Sequence, residues 1–208
     1  MTTVGMIGSG TLARAIAVHA VRAGHQVMFS NARGTAALGD LVTEMGAGAV
    51  AGTVVQAAAA DIVVLAVNWT HVPDALAGLP PRPGRILVDA TNQWLAPPPQ
   101  AIMDRLEVGG SELVASLLPD AHVIKAFGNM YGPVIAADPV TDAGRRILFY
   151  AGDDGAAKKR FRALVDSFGF APIDLGPLKN GRLLQVDGPL TGVHAIREPI
   201  GHPVLPNG

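Results

Sequence analysis

A glycine-rich turn close to the N-terminus constrains this chain more than any other feature. It reads Gly8-Ser9-Gly10-Thr11-Leu12-Ala13 and lies between an apolar run at 4–7 and a helical pattern at 11–23. A dinucleotide-binding G-x-G-x-x-G/A sequence requires this strand–turn–helix context. Gly8 permits the tight turn, Gly10 lets the backbone approach a pyrophosphate, and the small Ala13 allows close packing of helix on strand. The turn predicts a dinucleotide site, and a tight turn without a ligand is the alternative.

The end of the second predicted strand indicates which dinucleotide would bind. That strand, 27–29, is followed by Ser30-Asn31-Ala32-Arg33-Gly34, which contains no acid. NAD enzymes usually place an Asp or Glu here to hold the ribose 2′-hydroxyl. An acid would repel a 2′-phosphate, whereas the guanidinium of Arg33 can pair with one through two hydrogen bonds. The sequence favours NADP(H), and the alternative is that Arg33 is only a solvated loop cation.

Strand and helix patterns alternate through most of the chain. Apolar runs of strand length lie at 62–67, 86–88, 122–127, 147–151 and 171–175. Such continuous runs are typical of parallel strands that are covered on both faces. The alternation predicts an α/β fold with a doubly wound, mostly parallel, Rossmann-like sheet. We expect an NADP-binding domain at 1–187 and a short C-terminal extension, rich in Gly and Pro, at 188–208.

Composition and charge argue against several functions. The chain has no cysteine, which excludes disulfides, thiolate metal sites and cysteine nucleophiles. None of its six histidines forms a His-x-His or His-Glu-x-x-His pattern, so we expect no metal site. The formal net charge of −1, without a basic run, makes a nucleic-acid partner unexpected. No secretory pattern and no apolar run of the ~18 residues of a membrane helix is present, which predicts a cytoplasmic protein without a membrane partner.

Three side chains are candidates for catalysis, and each also has a plain structural interpretation. His71 lies near the expected cofactor edge, and His194 could reach an active site from the tail. Lys125 falls in a strand that should be central, where a lysine is costly unless it is paired. We therefore expect Lys125 to face either the cofactor edge or a carboxylate.

The Tyr-x-x-x-Lys proton donor of short-chain carbonyl reductases is missing, since Ile135 follows Tyr131 and Asp154 follows Tyr150 at that spacing. Hydride exchange between two ring cofactors needs little acid or base, because it depends on stacking geometry and exclusion of water. The lack of an obvious acid/base pair is therefore compatible with such an exchange.

An ordered set of motifs spans almost the whole chain. The segments are 6–13, 30–34, Ala66-Val67-Asn68-Trp69, Val88-Asp89-Ala90-Thr91-Asn92, Lys125-Ala126-Phe127-Gly128-Asn129, 152–154 and 169–178. In this order they resemble the F420-dependent NADP reductase family, which also resembles the cytosolic domains of the six-transmembrane metalloreductases. The resemblance extends from Val4 to about Pro189 and is much more specific than the glycine turn alone.

The resemblance implies reversible hydride transfer between NADP(H) and a small-molecule redox acceptor, either deazaflavin F420 or a flavin-like ring. It assigns the pyrophosphate to the glycine turn and the 2′-phosphate to Ser30, Asn31 and Arg33. The loops after the next strands would border the cofactor through Ala66, Val67, Asn68, Thr91 and Asn92. Open α/β sheets place ligands at such strand ends.

Two departures from the family pattern concern the acceptor. The usual K-A-F-N reads Lys125-Ala126-Phe127-Gly128 here, and we expect Gly128 to leave extra room that would suit a different or bulkier acceptor. The C-terminal part is short and ends without a long helix. Phe127 and Met130 offer an apolar wall for a flat ring, but a core role is equally plausible for both.

Two other functions stay open. One is an NADPH-dependent reductase of a small imine or carbonyl, with its site completed by a second subunit. The other is a non-catalytic module that senses NADPH. Apolar residues in the tail favour a homodimer in which the tail covers the neighbour's site, whereas packing on the chain's own sheet edge is the alternative. These residues are Leu190, Val193, Ile196, Ile200, Val204 and Leu205.

Overall fold

The computed structural model describes residues 1–93, 108–186 and 188–197, in which strands and short helices alternate. The strands are β1 (Thr3–Ile7), β2 (Gln26–Ser30), β3 (Ala49–Ala51), β4 (Ile62–Leu65), β5 (Arg85–Asp89), β6 (Ala121–Ala126), β7 (Val140–Thr141), β8 (Gly144–Gly152), β9 (Ala171–Asp174) and β10 (Ile196–Arg197). The α-helices are α1 (Thr11–Arg22), α2 (Gly39–Met45), α3 (Val54–Ala57), α4 (Val72–Leu76), α5 (Gly110–Leu117), α6 (Gly132–Ala136) and α7 (Gly155–Ser167). Short 3-10 segments lie at Thr35–Leu38, Trp69–His71 and Leu178–Leu184.

The order of the strands confirms the predicted fold class. The parallel part of the sheet follows the order β3–β2–β1–β4–β5–β6, as in a doubly wound dinucleotide-binding sheet. β8 extends it by pairing antiparallel with β6, and β7, β9 and β10 pair with β8. The strand order reverses between β1 and β4. Open sheets of this kind bind ligands in the crevice that this reversal leaves at the C-terminal strand ends.

Both faces of the sheet are buried, as the continuous apolar runs predict. In β4, Ile62 and Val64 belong to a core that also contains side chains of α1 and α7. Val63 and Leu65 of the same strand pack on the other face, in a core that contains side chains of α5. Successive side chains of a strand point to opposite faces, so a strand covered on both sides must be apolar throughout.

The described part of the C-terminal extension packs on the edge of its own sheet. β10 pairs antiparallel with β8, where Ile196 lies opposite Arg146. This is the alternative to covering a neighbouring subunit, so a homodimer and the 187/188 boundary both stay predictions. The apolar tail residues Ile200, Val204 and Leu205 lie outside the described residues.

The described ranges contain neither a membrane span nor a metal cluster. No helix in them combines the length and the apolar character that crossing a bilayer requires. No three or more His, Asp or Glu side chains in the same ranges are grouped so that they could hold a metal ion.

Candidate functional site

A cleft of about 730 Å³ lies at the C-terminal ends of the central parallel strands. Its lining comes from the start of α1, from the loops after β4 and β5, and from the segment between β6 and α6. The cleft therefore occupies the crevice that the strand order predicts. Eight of the predicted cofactor-binding residues line it, namely Gly10, Thr11, Leu12, Ala66, Val67, Asn68, Thr91 and Asn92. The fold brings these residues together, and their role in binding a cofactor stays a prediction.

The two glycines of the turn have different surroundings. Gly8 is buried at a φ of +120°, and a Cβ atom there would overlap the carbonyl oxygen of Ala66. It is needed because two backbone segments touch in a conformation that other residues rarely adopt. Gly10 has an ordinary φ of −76°, and nothing lies within 4 Å of the position of its Cβ. Gly10 caps α1 without a side-chain hydrogen bond, which leaves N–H groups of the first turn for a phosphate.

Two predicted cofactor residues, Ala13 and Ser30, are buried away from the cleft. Ala13 is fully buried in the core beside the sheet, as a small helix residue packed on a strand should be. Ser30 is also fully buried, and its hydroxyl donates a hydrogen bond of 2.8 Å to the carbonyl of Met6. This hydroxyl ties β2 to β1, which differs from the phosphate contact that we expected. The difference arises because Ser30 is still part of the strand, whose inward side chains are covered.

Asn31 connects the glycine turn to the loop that carries Arg33. Its Nδ2 donates to the hydroxyl of Ser9 at 3.2 Å, and its Oδ1 accepts a hydrogen bond of 2.9 Å from the backbone N–H of Arg33. Asparagine often folds a turn on itself in this way. The guanidinium of Arg33 is exposed and makes no hydrogen bond or ion pair within the described part of the chain. A cation held at the end of β2 is therefore available to a 2′-phosphate.

A buried ion pair fixes the loop after β5 beneath the cleft. The Nζ of Lys125 lies 3.3 Å from Oδ2 of Asp89, and the two side chains are only 2% and 0% exposed. Oδ1 of Asp89 accepts hydrogen bonds from the N–H and hydroxyl of Thr91, at 2.9 and 2.6 Å, and Oδ2 accepts one of 2.5 Å from Ser111. Lys125 also donates to the carbonyl of Thr91. We expected Lys125 to face either the cofactor edge or a carboxylate, and the structure shows that it faces the carboxylate of Asp89.

None of the predicted catalytic candidates contributes to the lining of the cleft. Lys125 is buried in the network beneath it, His71 is exposed at the end of its 3-10 segment, and His194 is exposed in the tail. The further lining residues are Trp69, Thr70, Ala90, Gly128, Met130, Tyr131 and Gly132. Among the described residues, the lining thus contains no Asp, Glu, Lys, Arg or His. Tyr131 supplies its one ionisable side chain.

Four of the lining residues were not singled out for the site from the sequence, namely Thr70, Ala90, Tyr131 and Gly132. Ala90 lies inside the motif at 88–92, and the other three follow the motifs at 66–69 and 125–129 by one to three residues, which is the signal that could have found them. Motif positions alone do not show how far a lining extends beyond the motif, because this depends on how the following helix begins.

Gly128 does not leave the extra room that we expected from its missing side chain. A Cβ atom there would lie 2.7 Å from the carbonyl oxygen of Thr91 and 3.1 Å from Nζ of Lys125. The preceding Phe127 has a φ of +64°, and the N–H of Gly128 donates to the carbonyl of Ala126 at 2.8 Å. This tight γ-turn is strained, as is common near functional sites. The expectation of extra room is wrong because the turn presses the glycine backbone against the loop after β5.

We expect Gly128→Ala to lower the free energy of unfolding by about 1–3 kcal/mol, because a methyl group must be forced between packed groups. Urea denaturation followed by circular dichroism measures this loss. Gly155→Ala is the matched control, since the Cβ of residue 155 would meet open space at the start of α7. Equal stability of the two variants would contradict the close packing of Gly128.

Two asparagines fasten the C-terminal segment to the floor of the cleft. Nδ2 of Asn92 donates to the carbonyl of Gly128 at 2.7 Å, and its Oδ1 accepts a bond of 3.0 Å from the N–H of Val186. Nδ2 of Asn129 donates to the carbonyl of Leu190 at 3.1 Å, and the carbonyl of Asn129 accepts from Gly192 at 2.7 Å. The segment before β10 therefore supports the site of its own chain.

Comparison with known proteins agrees with this geometry. The family model described as NADP oxidoreductase, coenzyme F420-dependent, matches residues 3–93, which include the glycine turn and the loops after β2, β4 and β5. The metalloreductase STEAP3 of Rattus norvegicus is 28% identical over 186 residues, and STEAP2 of Homo sapiens is 25% identical over 185. These matches cover 88% of this chain, but the chain spans only 35% of the length of either relative.

Solved structures extend the similarity over the whole fold. The protein SMa0349 from Sinorhizobium meliloti is 34% identical and superposes with a TM-score of 0.86, over 95% of this chain and 97% of that one. A protein from Arthrobacter sp. FB24 that is described by similarity as an F420-dependent NADP reductase is 24% identical, with a TM-score of 0.69 over 85% and 86% of the two chains. A reductive aminase from Aspergillus terreus shares the fold, at 21% identity and a TM-score of 0.61, but only 56% of its length is covered. The chain belongs to the family of NADP oxidoreductases described as coenzyme F420-dependent.

Proposed function

We propose that the chain binds NADP(H) across the C-terminal ends of its parallel strands and passes a hydride between it and a flat conjugated ring, either deazaflavin F420 or a flavin. One observation carries this proposal. The space left free at Gly10 opens into a cleft whose described lining has no charged side chain, while the guanidinium of Arg33, in the loop after β2, pairs with no described residue.

The residues present fit the dinucleotide in three places. The start of α1, which has no side-chain cap, suits a pyrophosphate, because its N–H groups and the helix dipole both favour an anion. Arg33 suits the 2′-phosphate, and Asn31 holds the loop of Arg33 against the glycine turn through Ser9. The floor formed by Thr91 and Gly128 suits the reduced nicotinamide ring of NADPH, which is uncharged, because the polar groups of this floor are already hydrogen-bonded within the protein.

When bound, NADPH would supply a hydride that reduces the acceptor ring, leaving NADP⁺, while a flavin or deazaflavin takes up one proton from water. The protein residues would orient the two rings and exclude water from the cleft. Hydride transfer requires reacting atoms about 3–3.5 Å apart, so positioning contributes most of the acceleration that the residues can provide. The described lining suits this task, because Trp69 and Met130 are apolar and nearly buried.

An acceptor screen tests the proposal against its alternatives. NADPH and NADH are offered in parallel with F420, FMN, FAD, and a panel of imines and carbonyls, and oxidation is followed at the absorbance of the reduced nicotinamide. We expect oxidation of NADPH with F420 or a flavin. Turnover with an imine or carbonyl alone would instead favour the second function, and tight NADPH binding without any acceptor would favour a sensor.

Arg33→Ala should discriminate between NADPH and NADH. Hydrogen bonds to a charged group contribute about 1.5–3 kcal/mol, so we expect the dissociation constant for NADPH to rise about 10- to 100-fold. The dissociation constant for NADH should change less than about threefold, because NADH has no 2′-phosphate. Calorimetry with both dinucleotides measures this.

The matched control for Arg33→Ala is Arg162→Ala, which removes an exposed arginine of α7 that does not line the cleft. This variant should keep the affinity for NADPH of the unmodified chain. If Arg33→Ala also bound NADPH with unchanged affinity, the 2′-phosphate assignment would be lost.

A further inference from the structure

Tyr131 is a large side chain at the mouth of the cleft. Its exposed fraction is 60%, whereas Trp69 and Met130 of the same lining are only 3% and 7% exposed. Other large hydrophobic side chains of comparable exposure, such as Val55 and Val140, do not line the cleft. An exposed aromatic ring at the mouth of a cleft offers apolar surface that a ligand can cover.

The backbone around Tyr131 is well anchored. Tyr131 caps α6, and its carbonyl accepts hydrogen bonds from the N–H groups of Val134 and Ile135 at 3.0 and 3.1 Å. Pro133 fixes the first turn of this helix. Nε2 of His19 lies 2.6 Å from the carbonyl oxygen of Ile135, which ties α6 to α1. Burial lowers the pKa of His19, so the neutral ring that can donate this bond is favoured.

The wall that contains Tyr131 stands directly beside the start of α1. A Cβ atom at Gly132 would lie 2.8 Å from the methyl group of Thr11, so the two helix starts are in close contact. Tyr131 is therefore next to the segment that we assign to the pyrophosphate, and it shares the cleft with the floor residues Thr91 and Gly128. A ring that rests on Tyr131 would lie in the same cleft as the proposed nicotinamide.

We propose that the face of the Tyr131 ring binds the conjugated ring of the hydride acceptor and so determines which acceptors are used. Aromatic rings prefer offset stacking, which would orient a second flat ring for transfer. The inference rests on the proposed function and deepens it. It assigns the contact to the aromatic ring, whereas reduction of an imine or carbonyl would need the hydroxyl as a proton donor.

Two substitutions separate the ring from the hydroxyl. Tyr131→Ala should raise the KM for FMN or F420, and the dissociation constant of FMN on the NADP⁺-loaded chain, about tenfold through loss of stacking and apolar area. Tyr131→Phe keeps the ring and should hold both constants within about twofold. The KM is measured by turnover of NADPH, and the dissociation constant by quenching of FMN fluorescence.

The control Val140→Ala removes a side chain that is 54% exposed and lies outside the cleft, so it should leave both constants unchanged. A fall in kcat of equal size in Tyr131→Ala and Tyr131→Phe would assign the hydroxyl instead of the ring and overturn the inference. Unchanged constants in Tyr131→Ala, or binding of neither FMN nor F420 by the unmodified NADP⁺-loaded chain, would overturn it as well. The proposed function fails by a separate result, namely that neither F420 nor a flavin supports oxidation of NADPH by the unmodified chain.

Discussion

Gly10→Ala should abolish tight NADPH binding while leaving the fold intact, whereas Gly8→Ala should damage the fold itself. The Cβ of residue 10 meets nothing within 4 Å, so only a bound pyrophosphate would compete for that space. Losing one or two hydrogen bonds to a charged phosphate weakens binding about 10- to 100-fold or more. The free energy of unfolding should change by less than about 0.5 kcal/mol, because a poorer helix cap and a less flexible unfolded chain offset each other.

Gly8→Ala removes the conformational freedom that a φ of +120° demands and places a methyl group against the carbonyl of Ala66. Strain of this kind costs about 1–3 kcal/mol, and overpacking costs a similar amount. The expected loss of about 2–6 kcal/mol is large against the usual total of about 5–15 kcal/mol. Denaturation curves and calorimetry on both variants give stability and affinity independently.

The two variants separate binding of a phosphate at Gly10 from backbone packing at Gly8. Normal NADPH affinity in Gly10→Ala would show that no phosphate approaches the turn. Normal stability in Gly8→Ala would show that the contact with Ala66 can relax. If both variants lost stability and affinity together, the turn would be a structural unit rather than a scaffold with a separate binding face.

The sequence predicts the fold class well because the signals that define it are local. The strands with continuous apolar runs, such as β4 (Ile62–Leu65), are found within a few residues of their predicted positions. The short β3 (Ala49–Ala51) was missed, since three residues between glycines carry almost no pattern. The four-residue α3 was also missed, although its capping box, formed by Thr53 and Gln56, is readable in the sequence.

The residues that line the cleft were predicted only in part. The order of motifs after strand ends places Asn68 and Thr91 in the same cleft, because parallel strands end at one edge of the sheet. The sequence could not show that the hydroxyl of Ser30 is committed to a neighbouring strand, or that Gly128 is pressed against another loop. Both facts depend on contacts between segments that are distant along the chain.

Lys125 is a further case of a contact that the sequence leaves open. Its type and position indicate a buried cation that needs a partner, which is an inference from the cost of desolvation. The partner Asp89 lies 36 residues away along the chain, on the adjacent strand β5, and Ser111 joins the same carboxylate from α5. Predicting this pair would have required the register of β5 and β6 and the position of α5 on the sheet, which the sequence does not show.

Lys125→Met should destabilise the fold strongly. It removes the only cation paired with Asp89 among the described residues and leaves a carboxylate that is 0% exposed. Breaking a buried pair from one side costs about 3–5 kcal/mol, because the remaining charge is neither hydrated nor compensated. Lys159→Met, at an exposed position of α7, is the matched control and should change stability by less than about 0.5 kcal/mol. Urea denaturation of both variants measures the difference.

The double variant Lys125→Met, Asp89→Asn distinguishes an unpaired charge from a simple loss of packing. The asparagine oxygen can still accept from Thr91, and no charge is then buried without a partner. We therefore expect the double variant to be more stable than Lys125→Met alone, with a coupling energy of about 1–3 kcal/mol. If Asp89→Asn only added a further loss of stability to that of Lys125→Met, the ion pair would stabilise the fold through its packing and not through its charge. Buried polar contacts would then fix the loop after β5, and the cleft floor would not depend on charge compensation.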